Sequence, residues 1–232
     1  MTSPLCVALD LPERTTILEL AQATEESAGM FKVGLTAFTA LGPSIVEELR
    51  GVGPVFLDLK LHDIPAQVEG AVRAVAATGA SLTTVHASGG GEMIDAAARA
   101  ARAANGLTIA AVTVLTSLDA GALRNLGIGG SPSEAVVRLA EIALEGGVDA
   151  LVCSPQEAQA LRARFGPSTD GGPLLVVPGI RTLDSDAGDQ KRTSTPKSAI
   201  SAGADIIVVG RPITQADDPS AAARRVLEEI QS

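Results

Sequence analysis

Eight short, predominantly apolar runs, alternating with longer amphipathic stretches, constrain this chain more than any other feature of it. The runs are Leu5–Leu9, Met30–Val33, Val55–Leu59, Leu82–Val85, Leu107–Val112, Ala150–Val152, Leu174–Val177 and Ile206–Val209. Because they are continuous rather than alternating, they read as parallel strands covered on both faces. Helix start signals lie between them. Ser154-Pro155 with Glu157 is a capping box with proline at the first helical position, and Thr195-Pro196 and Asp218-Pro219 repeat the cap-plus-proline pattern. A strand at the very start, a helix at the very end and eight such units predict a closed (β/α)8 barrel of the TIM type. An open doubly wound sheet would typically carry a glycine-rich turn after its first strand, and Ala8-Leu9-Asp10-Leu11-Pro12 has no glycine. Residues 1–232 are expected to form a single α/β domain, with Gly166–Pro173 as one connecting loop.

Composition narrows the partners. Aromatics are 2% of the chain and Trp and Tyr are absent, so the core must be built from Ala, Val, Leu and Ile, and no stacking surface for nucleic-acid bases is expected. A net charge of −9 argues against nucleic acid as a partner but leaves room for a small anion where a few cations converge. Cys6 and Cys153 both sit in apolar runs and read as buried thiols in a reducing compartment. No basic leader and no run of membrane-spanning length is present, so a soluble cytoplasmic protein without membrane association is expected.

In a (β/α)8 barrel, chemistry sits at the C-terminal ends of the strands. There the first run ends in Asp10, the second in Lys32, and the third in Asp58, Lys60 and then Asp63. Strand geometry of period two puts Asp58 and Lys60 on one side, pointing into the barrel. Buried charges need partners, and Asp10 and Lys32 on adjoining strands supply one of each sign. A structural ion-pair network is the plain alternative. Four alternating charges on three neighbouring strands, all at the functional end, favour catalysis over it.

A second concentration follows the last two runs, in Pro178-Gly179-Ile180-Arg181 and Gly210-Arg211-Pro212-Ile213. Loops after the seventh and eighth strands form the common barrel phosphate site, where glycine admits the anion to the backbone and arginine clamps it. The polar loop from Arg181 to Arg192, carrying Gly188-Asp189-Gln190, is long for its place and reads as either a lid or a floppy spacer; Gln190 could bond both a phosphate and a ring carbonyl. His62 and His86, on different strands and without clustered Cys or Glu, do not make a metal site. His86 is expected to bond backbone at the barrel top, and His62 to point away from Lys60.

The segment Asp58-x-Lys60-x-x-Asp63-Ile64-Pro65 resembles the signature of the orotidine 5′-phosphate decarboxylase family. The resemblance spans the chain, since Val7-Ala8-Leu9-Asp10, Phe31-Lys32-Val33-Gly34, Thr113-x-Leu115-Thr116-Ser117, Pro178-Gly179-Ile180-Arg181 with Gly188-Asp189-Gln190, and Val209-Gly210-Arg211-Pro212-Ile213 follow in family order. It implies cofactor-independent decarboxylation of orotidine 5′-phosphate to uridine 5′-phosphate. Lys60 would protonate the pyrimidine carbon that loses CO2, and Asp58 would sit against the departing carboxylate. Asp10 and Lys32 would hold ribose hydroxyls, with Lys32 also in the charged network. Thr116 or Ser117 would meet the pyrimidine edge, and Arg181, Gln190, Gly210 and Arg211 would grip the phosphate. Asp63 would reach across a homodimer interface into the other subunit's site. Two readings compete. One is a Mg2+-dependent sugar-phosphate aldolase or decarboxylase of the same superfamily; the other is a non-catalytic barrel that binds nucleotide phosphates.

Overall fold

The computed structural model describes residues 3–104, 106–181 and 194–231. Eight strands close into one parallel barrel in chain order, β1 (Leu5–Ala8), β2 (Met30–Gly34), β3 (Val55–Leu61), β4 (Leu82–His86), β5 (Thr108–Val112), β6 (Ala150–Val152), β7 (Leu174–Val177) and β8 (Ile206–Val209), with β8 pairing back onto β1. The helices between and after them are α1 (Arg14–Thr24), α2 (Leu35–Leu41), α3 (Ser44–Leu49), α4 (Pro65–Thr78), α5 (Gly91–Ala103), α6 (Ala120–Asn125), α7 (Pro132–Glu145), α8 (Pro155–Phe165), α9 (Pro196–Ser201), α10 (Arg211–Thr214) and α11 (Pro219–Gln231). The expected barrel is therefore the observed one. The main departure is β3, which runs two residues beyond the expected Leu59, to Leu61.

Strand parity divides the core in two. Cys6, Ala8, Met30, Phe56, Leu82, Ala110, Ala150, Val176, Ile206 and Val208 point inward and fill the barrel. Their neighbours Leu5, Val7, Phe31, Val33, Val55, Leu57, Ile109, Leu151, Leu175 and Ile207 point outward against the helices. Each large side chain so buried contributes about 1.5–3 kcal/mol. The alanine-rich face of α5, with Ala97, Ala100 and Ala101 buried, lets that helix pack closely on α4 and the sheet. Both cysteines are buried, and burial holds the Cys6 thiol well above its ordinary pKa, so it behaves as a small apolar filler.

Caps fix where helices begin. Ser154 and Glu157 form the reciprocal box at the start of α8, Thr195 accepts from the Ser198 N–H, and Asp218 accepts from the Ala221 N–H at 2.9 Å. Ser131 and Glu134 form another such box at the start of α7.

At the N-terminal end of the barrel, Arg162 near the end of α8 ties two connections together, those leading into β7 and β8. Its guanidinium donates to Gly203 O at 2.7 Å, Pro173 O at 2.7 Å and Gly166 O at 3.2 Å, and pairs with Asp205. Asp205 also accepts from the Ser168 hydroxyl and from the Leu175 N–H at 2.7 Å. The starts of β7 and β8 are thereby held to one helix.

Candidate active site

Inward parity near the C-terminal ends of β2 and β3 brings the expected charges into one chain of alternating sign. Lys32 Nζ donates to both oxygens of Asp10, at 2.7 and 2.9 Å, and lies 3.6 Å from Asp58. Lys60 Nζ donates to both oxygens of Asp58 at 2.8 Å. Burial, the largest single influence on Lys32, works against its charge. The carboxylates of Asp10 and Asp58 outweigh it, and the ammonium is held above its ordinary pKa. Burial likewise opposes the charge on Asp58, but Lys32, Lys60 and the Thr84 hydroxyl together hold that carboxyl below the usual range. Lys32 and Asp58 are thus both charged near neutrality. Gly34 makes room for Asp10 and Lys32, since a Cβ there would stand 2.2 Å from the Asp10 carboxylate and 2.9 Å from Lys32 Nζ.

Lys60 reaches this cluster from an irregular stretch of β3. The register runs from Leu57 opposite Thr83 to Leu61 opposite Val85, so Asp58, Leu59 and Lys60 share the place of one β4 residue, Thr84. This bulge interrupts the ladder to β4 but keeps the alternation of the strand: Phe56, Asp58 and Lys60 face the interior, and Leu57, Leu59 and Leu61 pack outward. Lys60 has φ +52°, the one positive φ outside glycine among the described residues. That left-handed conformation costs about 1–2 kcal/mol, and hydrogen bonds to charged groups, worth about 1.5–3 kcal/mol each, offset it. The Lys60 N–H donates to Thr84 Oγ1 at 2.8 Å, and the same hydroxyl donates to Asp58 Oδ1 at 2.9 Å. Thr84 was not singled out from the sequence, although its parity with Leu82 on β4 marks it as inward-facing.

These groups open on a cavity of about 550 Å³ at the C-terminal mouth. Asp10, Lys32, Asp58 and Lys60 line one side; Pro178, Gly179, Arg181, Gly210, Arg211 and Gln215 line the other, with Val112, Val152, Val176 and Val208 below. Thr116 lines the cavity, whereas Ser117 is exposed and outside its lining, so the geometry favours Thr116 of the two. Gly179, with φ +83°, turns the chain out of β7. The Arg181 N–H donates to Ser194 O at 2.9 Å and the Ser194 N–H to Gly179 O at 3.3 Å, so both ends of the long connection meet beside the mouth. Gln190 and its neighbours in 182–193, including Gly188 and Asp189, lie outside the described residues.

Asp63 stands apart from this cavity. It is exposed, accepts from the Ile64 N–H at 2.6 Å, and lines an outer cleft with His62, Ile64, Pro65, Ser88 and Gly89. The His62 and His86 rings lie 5.4 Å apart, and His62 faces that cleft rather than the main cavity, as expected. Burial, then the charges of His62 and Lys60, hold His86 below its ordinary pKa of 6.5. Among the described residues, no group of three or more His, Cys, Asp or Glu is placed to hold a metal ion. No helix among them is long and apolar enough to cross a membrane.

Acids and bases of alternating sign thus share one cavity at the barrel mouth with glycines and arginines, an arrangement able to hold an anionic molecule. Comparison with known proteins narrows it. A protein from Anaeromyxobacter sp. (strain K) named orotidine 5′-phosphate decarboxylase is 53% identical over 223 residues, covering 96% of each chain. One of the same name from Thermobifida fusca is 48% identical over all of this chain and 97% of its own. A crystal structure of orotidine 5′-phosphate decarboxylase from Lactobacillus acidophilus superposes with a TM-score of 0.85 at 36% identity, covering 99% of this chain and all of that one. Residues 3–226 match the family described as orotidine 5′-phosphate decarboxylase / HUMPS, and the chain belongs to that family.

Proposed function

We propose that this chain is a carboxy-lyase that converts orotidine 5′-phosphate to uridine 5′-phosphate in pyrimidine biosynthesis, with Lys60 as its general acid. The observation that carries the chemistry is the Lys60 ammonium, bonded to Asp58 at 2.8 Å and lining a cavity whose opposite wall holds Arg181, Gly210 and Arg211. Decarboxylation breaks the bond between the ring carbon and the carboxylate, releasing CO2 and leaving an electron pair on carbon. A fixed ammonium beside that carbon stabilises the pair as it develops and then protonates it. Asp58, ionised and close to the departing carboxylate, disfavours the bound ground state. Contacts with the phosphate, far from the carbon, supply binding that offsets this repulsion.

The remaining roles follow the same geometry. Asp10 and Lys32 hold ribose hydroxyls, Thr116 meets the pyrimidine edge, and Arg181, Gly210 and Arg211 take the phosphate, joined by Gln190. In this reading Asp63 serves the site of a second copy of the chain in a homodimer. Its exposure, its place outside the main cavity and the adjacent Ile64, 64% exposed, support that assignment. A fully active monomer would overturn it. The buried thiols support a cytoplasmic setting.

A spectrophotometric assay on orotidine 5′-phosphate, run with and without EDTA, tests the function. Turnover unaffected by chelator is expected. Turnover that requires added Mg2+, or absent turnover with tight binding of uridine 5′-phosphate, would return the sugar-phosphate or non-catalytic reading respectively.

A further inference from the structure

We propose that Thr84 is a positioning residue for this chemistry: its single hydroxyl holds the Lys60 backbone and the Asp58 carboxylate together across the β3 bulge, and so sets where the ammonium stands. The inference rests on the decarboxylase reading of the site. Three β3 residues, Asp58, Leu59 and Lys60, occupy the place opposite Thr84, which leaves the Lys60 N–H without the regular ladder partner. Thr84 Oγ1 accepts that N–H at 2.8 Å and donates its own proton to Asp58 Oδ1 at 2.9 Å. Both oxygens of Asp58 in turn accept from Lys60 Nζ at 2.8 Å. Backbone, hydroxyl, carboxylate and ammonium form a closed ring in which Thr84 is the one member contributed by another strand.

A bland reading would make Thr84 a buried hydroxyl that merely needs a partner. The other buried threonines show what that looks like. Thr24 donates to Leu20 O, Thr78 to Val75 O, Thr83 to Leu57 O and Thr113 to Val152 O, each a main-chain carbonyl. Among the buried threonines Thr84 alone donates to an ionised side chain, and it does so beneath the one strained non-glycine residue of the described chain. Its immediate neighbour Thr83, equally buried on the opposite face of β4, is a matched internal control.

The test compares Thr84→Val, Thr84→Ser and Thr83→Val in steady-state decarboxylation, with uridine 5′-phosphate binding and thermal melting measured in parallel. Thr84→Val keeps the shape and removes the hydroxyl. It should lower kcat by about 100-fold, since displacement of a reacting group by an ångström costs on that order, while product affinity stays within about threefold. Thr84→Ser should recover most of the lost kcat. Thr83→Val should lower the melting temperature and leave kcat unchanged. The acid limb of the kcat profile gives a second readout. Asp58 senses Lys32 from β2, Lys60 on its own strand, Cys6 from β1 and His86 from β4, and these stay in place in every variant. Losing only the Thr84 bond should move that limb to higher pH in Thr84→Val and not in Thr83→Val. If Thr84→Val does not fold, Thr84→Cys, with a weak donor of similar shape, should show the same kcat loss. An active wild type with Thr84→Val or Thr84→Cys at near wild-type kcat overturns the inference alone. A wild type without turnover overturns the functional reading and this inference with it.

Discussion

Two charged networks sit at opposite ends of one barrel, and they are built on opposite principles. At the N-terminal end Arg162 and Asp205 exhaust each other and their surroundings: the guanidinium meets three carbonyls and a carboxylate, and the carboxylate meets a hydroxyl and an N–H besides. None of these groups lines the mouth cavity. At the C-terminal end the ammoniums of Lys32 and Lys60 meet only carboxylates among the described residues, and all four members of the chain line that cavity. Both networks hold ion pairs at hydrogen-bond distance. What separates structure from chemistry here is saturation: one network has spent its bonding capacity on the main chain, and the other keeps its charges facing the space where a ligand binds.

That contrast can be broken by exchanging what is lost. Lys60→Ala should lower kcat on the order of 10^4-fold or more, the combined worth of an acid and a charge stabiliser, with the fold intact and product affinity within tens-fold. Near wild-type turnover in a discontinuous assay for released CO2 would remove Lys60 from the mechanism. Arg162→Ala should do the converse. It leaves a half-buried carboxylate and three carbonyls without their donor and should cost about 1–3 kcal/mol in chemical denaturation, with kcat of the folded fraction unchanged. A large kcat loss there would erase the division between the two ends.

Arg211→Ala sharpens the picture within the mouth itself. Removing one charge-assisted contact to phosphate, worth about 1.5–3 kcal/mol, should raise KM by about tenfold to a hundredfold and spare substrate lacking the phosphate. Equal KM values for variant and wild type would move the phosphate elsewhere. The smallest expected effect concerns pH. Asp58 and His86 are both held below their ordinary values, 3.8 and 6.5, so each contributes stability above those values that is lost as pH falls through the folded-state pKa. Lys32 is held above 10.5, so its contribution is present below that pH and lost as pH rises through its folded-state value. Denaturation midpoints should therefore start to fall below about pH 6.5, and His86→Gln should flatten that first decline; an unchanged slope would contradict it.

Much of this was legible in the chain because its signals are local. Predominantly apolar runs fall within two residues of all eight strands, as expected when both faces of a strand are covered. Ser154, Thr195 and Asp218 cap the helices that they were read to start, because capping needs only a side chain and the next turn of backbone. Asp10, Lys32, Asp58 and Lys60 could be placed together from strand parity and strand order. The bulge could not, because it depends on how two strands accommodate unequal lengths between the same pair of layers. Thr84 stayed hidden for that reason: in Leu82-Thr83-Thr84-Val85 two threonines look alike, and only the register tells which of them meets Asp58. The choice between Thr116 and Ser117 likewise waited on how the chain leaves β5.

The left-handed torsion at Lys60 has a meaning for anyone redesigning this molecule. Glycine takes that conformation at no steric cost, so a sequence chosen for backbone torsions alone would put glycine at position 60 and strip the Asp58 carboxylate of both bonds from Nζ. A torsion-based redesign of the chain would therefore rank position 60 among its first substitutions, and that position is the one to exclude from any such campaign.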